Sequence, residues 1–356
     1  MARLDHSQIT PDQGALTALS GLIFDEVLRA QTLEELFNVF YGVRDGQKAV
    51  FIGDFGLAGK AAQGCNPDYD DSLVSTREQS WDIDMWSIDE SLCYDDVKEI
   101  MEQWGSREGI TGDLTASEYV RAILEPALVT AVRNAVMRFV WFGDTTADSV
   151  ANGGNIKNAA DLPYFNVTDG FWKKLDQIVA ADSARLTAVA ANAATTPAAQ
   201  KAAMLQAGVA TGIMNTMITS ASPTLRGLEG VIYITQAFKD ALDFDLQQNN
   251  KGSELQWRSL FYGVQEAYYQ GIRVLAVPFM DQIIQAYEGV SGNTSYNRPY
   301  RAVYTTKNNM GVGVYSNSEL ATVDVFFDKK DRMNYMTAGD GIGTMILNPE
   351  LVQVAY

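Results

Sequence analysis

Gly271-Ile-Arg-Val-Leu-Ala-Val-Pro-Phe-Met-Asp281, followed by Asn297-Arg-Pro-Tyr-Arg-Ala-Val-Tyr-Thr-Thr-Lys-Asn-Asn-Met-Gly-Val-Gly-Val314, is the stretch on which the reading of this chain turns. Ile272–Val277 is a short apolar run stopped by a proline, the pattern of a buried strand. Arg301–Thr305 and Met310–Tyr315 repeat it, and Met280–Tyr287 between them is helical. Strands are predicted at Ala321–Phe327, Arg332–Thr337 and Met345–Leu347, around a charged turn at Asp328–Arg332. Gly339-Asp-Gly-Ile-Gly343 lies between strands rather than before a helix, so it reads as a turn and not as a dinucleotide fingerprint. The chain then closes on Asn348-Pro-Glu-Leu-Val352. These are strands and turns without a reactive side chain.

Upstream, Val231–Thr235 is a buried strand backed by a helix over Ala237–Leu246, and Trp257–Tyr262 is another strand. Ala180–Ala210 predicts two helices broken near Thr195–Pro197, and Asp169 is placed to cap a helix running through Ile178. Residues 144–168 read as loop. The clearest helix opens with the capping box Thr115-Ala-Ser-Glu118. It carries an apolar stripe of Val120, Ile123, Leu124, Leu128, Ala131, Ala135 and Phe139, and it stops at Gly143. Pro126 should kink or split it, and Glu99–Trp104 is a short helix before it.

Residues 1–14 are a polar arm. Two amphipathic helices come next, one with Leu16, Leu19, Leu22, Ile23 and Val27, the other with Leu33, Leu36, Phe37 and Phe40 after Thr32. Lys48–Phe51 is a strand, and glycines at 53, 56, 59 and 64 break any regular element after it. Between Ser80 and Ile88, Trp81, Ile83, Met85 and Trp86 alternate with acids, the sign of a strand with one apolar face. Together this is a long two-stranded excursion with an acidic, glycine-rich tip. A lone hairpin of that kind is marginal in water and needs something to lie on. The sum is an α+β chain.

Composition narrows the function. The chain has 356 residues and 47% hydrophobic content, ample for a core. With 44 acidic against 27 basic residues its formal charge is -17, which opposes a continuous basic patch for nucleic acid. Cys65 and Cys93 match no zinc spacing and read as reduced thiols. No apolar run of about 18 residues exists to span a membrane, and the first residues lack the apolar core of a signal peptide. The single histidine, His6, sits in the polar arm, so histidine-based triads and multi-imidazole metal sites have no material. Gly53–Lys60 fails as a phosphate loop, because its first glycine is out of register and Ala61 stands where Ser or Thr must hold magnesium. Asp68, Asp70 and Asp71 do not meet the calcium-loop pattern. Acid pairs such as Asp82 and Asp84 arise by chance among so many carboxylates. No catalytic residue, metal site or cofactor is expected.

Trp141-Phe-Gly-Asp-Thr-Thr-Ala147, Gly230-Val-Ile-Tyr-Ile-Thr-Gln-Ala-Phe238 and the C-terminal segments above resemble the major capsid proteins of tailed double-stranded DNA bacteriophages, of the kind infecting Bacteroides-like hosts. That resemblance implies the Hong Kong 97-type fold. Residues 1–44 would be an N-terminal arm and 45–96 an extended E-loop lying across an adjacent subunit. Residues 97–143 and 297–356 would form a peripheral domain with a spine helix, and 144–296 an axial domain. Phe55, Lys60, Asp68, Asp70, Asp71, Trp81 and Trp86 of the E-loop would touch a neighbour. Asp328, Lys329, Lys330, Asp331 and Arg332 would sit near three-fold contacts. Partners would be the chain itself in hexamers and pentamers, a portal, a separate scaffolding protein and decoration proteins. The shell would enclose double-stranded DNA without sequence-specific binding, in a virion assembled in the host cytoplasm. Some relatives crosslink an E-loop lysine to an asparagine; Lys60 with Asn308 or Asn309 is the counterpart, although no activating acid is evident. An encapsulin-like compartment shell is the alternative within the fold. An acidic hydrolase or glycan-binding protein is the alternative outside it.

Overall fold

The computed structural model describes residues 32–52, 76–93, 125–248, 255–260, 263–316, 322–328 and 333–356. The polar arm, the first amphipathic helix, the excursion's tip, the Glu99–Trp104 helix, the Thr115–Glu118 box and most of the charged turn lie outside the described residues. In chain order the elements begin with helix α1 (Thr32–Leu36) and strands β1 (Asn38–Tyr41), β2 (Lys48–Ile52), β3 (Thr76–Ser80) and β4 (Asp84–Cys93). Next come α2 (Glu125–Phe142), α3 (Phe171–Ala181), β5 (Leu186–Thr187), α4 (Pro197–Met204), α5 (Val209–Ser220) and α6 (Pro223–Arg226). After these stand β6 (Val231–Thr235), α7 (Gln236–Gln248), β7 (Arg258–Ser259), β8 (Gln265–Tyr269), β9 (Ile272–Val277) and α8 (Pro278–Tyr287). The chain finishes with β10 (Ala302–Thr305), β11 (Met310–Val314), β12 (Thr322–Asp328), β13 (Met333–Ile346) and β14 (Gln353–Ala355).

A seven-stranded sheet in the order β5-β14-β10-β6-β9-β8-β7 forms one half. Its central strands are apolar without interruption because both faces are covered. Val231, Tyr233, Leu275, Val277, Val303 and Val354 point into one core, shared with α2 and α3. Ile232, Ile234, Val274, Ala276, Ala302, Tyr304 and Ala355 point into another, under α5 and α7. Five rings tie the first core together. Phe37 lies 5.3 Å from Trp141 and 5.1 Å from Phe171, and Trp141 lies 5.6 Å from Tyr233 and 5.9 Å from Trp172. Burial holds the Tyr233 hydroxyl un-ionised, and it donates to the Leu36 carbonyl.

The second sheet runs β1-β11-β13-β12, with β4 paired to β13 on its other side. Its inner strands are rich in glycine for a steric reason. A Cβ on Gly313 would stand 2.8 Å from the Trp81 ring, and one on Gly343 would collide with the Asp82 carbonyl oxygen. Gly311 lies under Phe40 and Trp81, and Gly341 under Tyr315, Ile83 and Met85. This glycine floor lets Trp81 and Ile83 press onto the sheet, where they are 5% and 7% exposed.

Several expectations are revised. Gly339–Gly343 is not a turn but the middle of the 14-residue strand β13, since its glycines admit the Asp82–Ser87 segment. The Ser80–Ile88 run is not one strand: it breaks at Trp81–Ile83, β3 pairs with β2, and β4 pairs with the body along β13. Phe40 belongs to β1 rather than to a helix. Asp169 does not cap α3. Gly143 and Gly170 meet backbone to backbone at 2.8 Å, and the Asp169 carboxylate turns back to accept from the Thr145 N–H and hydroxyl, each at 2.9 Å. Residues 182–194 are single turns and β5, not a helix; Thr196 instead caps α4 through the Ala199 N–H. On α2, Ala131 is exposed while Val132, Val136 and Val140 join Ala135 and Phe139 inside, and Pro126 stands in the first described turn. Of the strands after Asn297, β10 and β14 complete the sheet built on β6 and β9, while β11, β12 and β13 belong to the second sheet. Gln265–Tyr269 is a strand not anticipated.

Gly343→Ala should destabilise the fold by about 2 kcal/mol or more, since its collision is with backbone that cannot turn aside. Gly212→Ala, in α5 with open space around it, should stabilise by up to about 1 kcal/mol. Chemical denaturation of both variants checks the pair.

Candidate functional site

The described residues offer geometry for contact rather than for chemistry. Among them no group of three or more His, Cys, Asp or Glu side chains is arranged to hold a metal ion. None of their helices is long and apolar enough to cross a membrane. What stands out is the ribbon β2–β3. Its register pairs Lys48 with Ser80 and Ile52 with Thr76, and among the described residues it forms a sheet of two strands. Val50 is 54% exposed, and the cross-strand pair Lys48–Glu78 at 2.7 Å is exposed on both sides. Such a pair adds at most about 1 kcal/mol.

The ribbon's root is built more firmly. Gly46 N–H donates to the Trp81 carbonyl and Trp81 N–H to the Gln47 carbonyl, both at 2.9 Å. Ile83 N–H donates to Asp45 Oδ1 at 3.3 Å, and Val43 N–H to the Val314 carbonyl at 3.0 Å. The Trp81 ring lies 5.4 Å from Phe40 on the glycine floor, and Trp86 lies 5.8 Å from Phe139 of α2. Trp86 is only 4% exposed, so both tryptophans spend their surface inside their own chain. Trp81 and Trp86, expected at a contact with a neighbour, here anchor the ribbon on the chain's own body. Beside them Met85, 67% exposed, and Tyr315, stacked on Arg44 at 3.9 Å, face outward over Gly341.

Under the root opens a groove of about 950 Å³ against α3. It is lined by Asp45, Glu78, Asp82, Asp169, Asp182 and Glu350, with Lys174 at its wall. Lys174 Nζ donates to the Thr344 carbonyl at 2.6 Å. Burial lowers its pKa, while Asp82, Asp169 and Asp84 oppose the shift. Burial, then Asp82, Asp45 and Asp169, raise that of Asp84. The carboxylates balance a buried ammonium; no nucleophile and base stand together here.

The body behind the groove is fixed by buried charge. Arg301 and Glu288 pair at 4% and 5% side-chain exposure. Arg301 also donates to the Arg298 and Asn297 carbonyls, and Asn155 donates to Glu288. Burial raises the Glu288 pKa and Arg301 opposes it. Asp281 of α8 caps α7 from outside, accepting the Gln236 and Ala237 N–H groups. Burial pushes its pKa up to about 6 despite those bonds. Asp245 does the same for α5, accepting the Thr211 N–H and hydroxyl.

Of the other residues singled out from the sequence, Phe55, Lys60, Asp68, Asp70, Asp71 and Lys329–Arg332 lie outside the described residues, as do the side chain of Asp328 and the segment Gly53–Lys60. Asn309 is too enclosed to serve in a crosslink. It is 3% exposed, its amide nitrogen donates to Thr305 Oγ1 and the Asn348 carbonyl, and its oxygen accepts from the Asn348 N–H. Asn308 is exposed.

No family model and no curated protein matches the sequence. Solved structures do. A chain from the satellite phage P4 procapsid including size determination (Sid) protein aligns over 94% of this chain and 97% of its own, with a TM-score of 0.51 at 10% identity. A chain from Gordonia phage Cozz aligns over 91% and 85%, with a TM-score of 0.52 at 11% identity. The chain therefore has the mixed helix-and-sheet fold of these phage particles.

Replacing either member of the buried pair, by Glu288→Gln or Arg301→Met, should lower stability by about 3–5 kcal/mol, with the double apolar replacement recovering most of it. For Asp281, the raised folded pKa means its contribution is full below about pH 4 and is lost as pH rises through about 6. The stability of the unmodified chain relative to Asp281→Asn should therefore fall between those values in urea titrations.

Proposed function

We propose that the chain is the major capsid protein of a tailed double-stranded DNA bacteriophage, a shell subunit whose work is structural. One observation carries the reading. A fold likeness runs over 97% of a procapsid chain, and among the described residues the β2–β3 ribbon pairs with no third strand. In this reading the ribbon lies on a neighbouring copy, with Phe55, Lys60, Asp68, Asp70 and Asp71 at the contact. Asp328–Arg332 meets its equivalents near a three-fold axis. The arm would be residues 1–44, with α2 as the spine of a peripheral domain and the seven-stranded sheet as the larger part of an axial domain. Copies close into hexamers and pentamers by repeating one set of heterologous contacts. Portal, scaffolding and decoration proteins join the same shell. The formal charge of -17 suits a wall that repels packaged DNA and does not adhere to it.

Purified chain at rising concentration should yield megadalton particles in size-exclusion chromatography and closed shells in negative stain. A stable 39.0 kDa species that binds a glycan would instead favour the hydrolase or lectin class. Deleting Gly53–Asp71 should leave a cooperatively folding subunit that makes no particles; normal shells from that deletion would remove the ribbon from the contact.

A further inference from the structure

Arg138 lies on the outer stripe of α2 with Thr130 and Asn134, away from the buried valines. Its Nε donates to the Tyr164 carbonyl at 2.9 Å. The rings of Phe139, Tyr164 and Phe165 stand 5.2, 5.7 and 5.9 Å from its guanidinium carbon. Burial lowers its pKa, and the only groups opposing that shift are the Tyr287 and Tyr164 hydroxyls. Among the described residues no carboxylate reaches it, and its terminal nitrogens have no hydrogen-bond partner. Four other arginines differ: Arg185 pairs with Asp182, Arg273 with Glu266, Arg298 with Asp176 and the buried Arg301 with Glu288.

A guanidinium fixed through Nε and framed by rings presents its two terminal nitrogens as a fork, the shape that takes a carboxylate bidentately. Partial desolvation strengthens such a bond, and the exposed Tyr164 ring, at 60%, widens the seat for a contacting surface. Each copy carries 17 more acidic than basic residues, so a second copy brings carboxylates in surplus. We infer that Arg138, with Tyr164, is a docking point on α2 for a carboxylate of a second copy of this chain. The inference rests on the shell reading and adds the receiving residue to it.

Arg138→Lys keeps the charge and supplies a test. Particles assembled from mixed isotopically light and heavy Arg138→Lys chains are treated with a carbodiimide, which joins an amine to a touching carboxylate as an amide. Peptide mass spectrometry should show position 138 of one chain linked to an Asp or Glu of another. In parallel, Arg138→Ala should raise the concentration at which particles appear by about tenfold while leaving the subunit's melting temperature within a few degrees. Inter-chain links at other lysines without any at position 138, together with an unchanged threshold for Arg138→Ala, would overturn the docking point and leave the shell reading intact. An unchanged threshold with lost binding of a fluorescent duplex DNA would assign the fork to phosphate and overturn it equally. Failure of the unmodified chain to form any particle would remove both readings.

Discussion

The glycine floor is the constraint on which the placement of every projecting element rests. Side chains on β11 and β13 at Gly311, Gly313, Gly341 and Gly343 would hold Trp81 and Ile83 off the sheet. Without them the ribbon root settles onto the body, and the two tryptophans bury on the chain's own core. That contact fixes the direction in which β2 and β3 leave. Beyond the root no third strand among the described residues pairs with β2 or β3. Two strands alone are marginal in water, and a long unpaired edge invites another chain. The fold therefore supplies a rigid base and a projecting element in one piece.

Rigidity of the base comes from a different source. Along the central strands β6 and β10 both faces are buried, so charge there is tolerated only when it is fully partnered. Arg301, next to the apolar strand β10, is met by Glu288 and by two carbonyls. Asp281 and Asp245 each serve a helix N-terminus on a neighbouring element, where partial positive charge of the helix and free N–H groups receive them. These contacts join α5, α7 and α8 around the sheet. In the proposed shell role the subunit has to carry load between contacts without changing shape, and the arrangement of buried polar links suits that role.

Much of the fold is legible in the residues alone. Val231–Thr235 and Ile272–Val277 are largely apolar runs because both faces are buried, and the helices after them start within two residues of the expected Ala237 and Met280. Gly143 stops α2, and Lys48 opens a strand. The misses have physical causes. Gly339–Gly343 looks like a turn because close approach of another backbone and a reversal of the chain use the same residue. Asp169 looks like a cap because the packing of Gly143 on Gly170, 27 positions apart in the sequence, leaves no local trace. Gln265–Tyr269 is easily passed over, although Ala267 and Tyr269 already alternate with more polar neighbours. Asp281, Asp245, Glu288 and Arg138 carry no local signal, since their partners lie far along the chain; only Arg301, a charge beside an apolar run, hints at a buried counter-charge. The acidic tip and the charged turn are legible as such, while their contact roles rest on resemblance to capsid proteins.

If a sibling chain completes the β2–β3 ribbon, the ribbon's amides must gain protection on assembly. Amide hydrogen exchange over Lys48–Ile52 and Thr76–Ser80, compared between unassembled subunits and particles, measures that gain. Fast exchange at these amides is expected in the subunit and strong protection in the particle, with β6 and β9 protected in both. Equal protection of the ribbon in the two states would contradict completion by a neighbour.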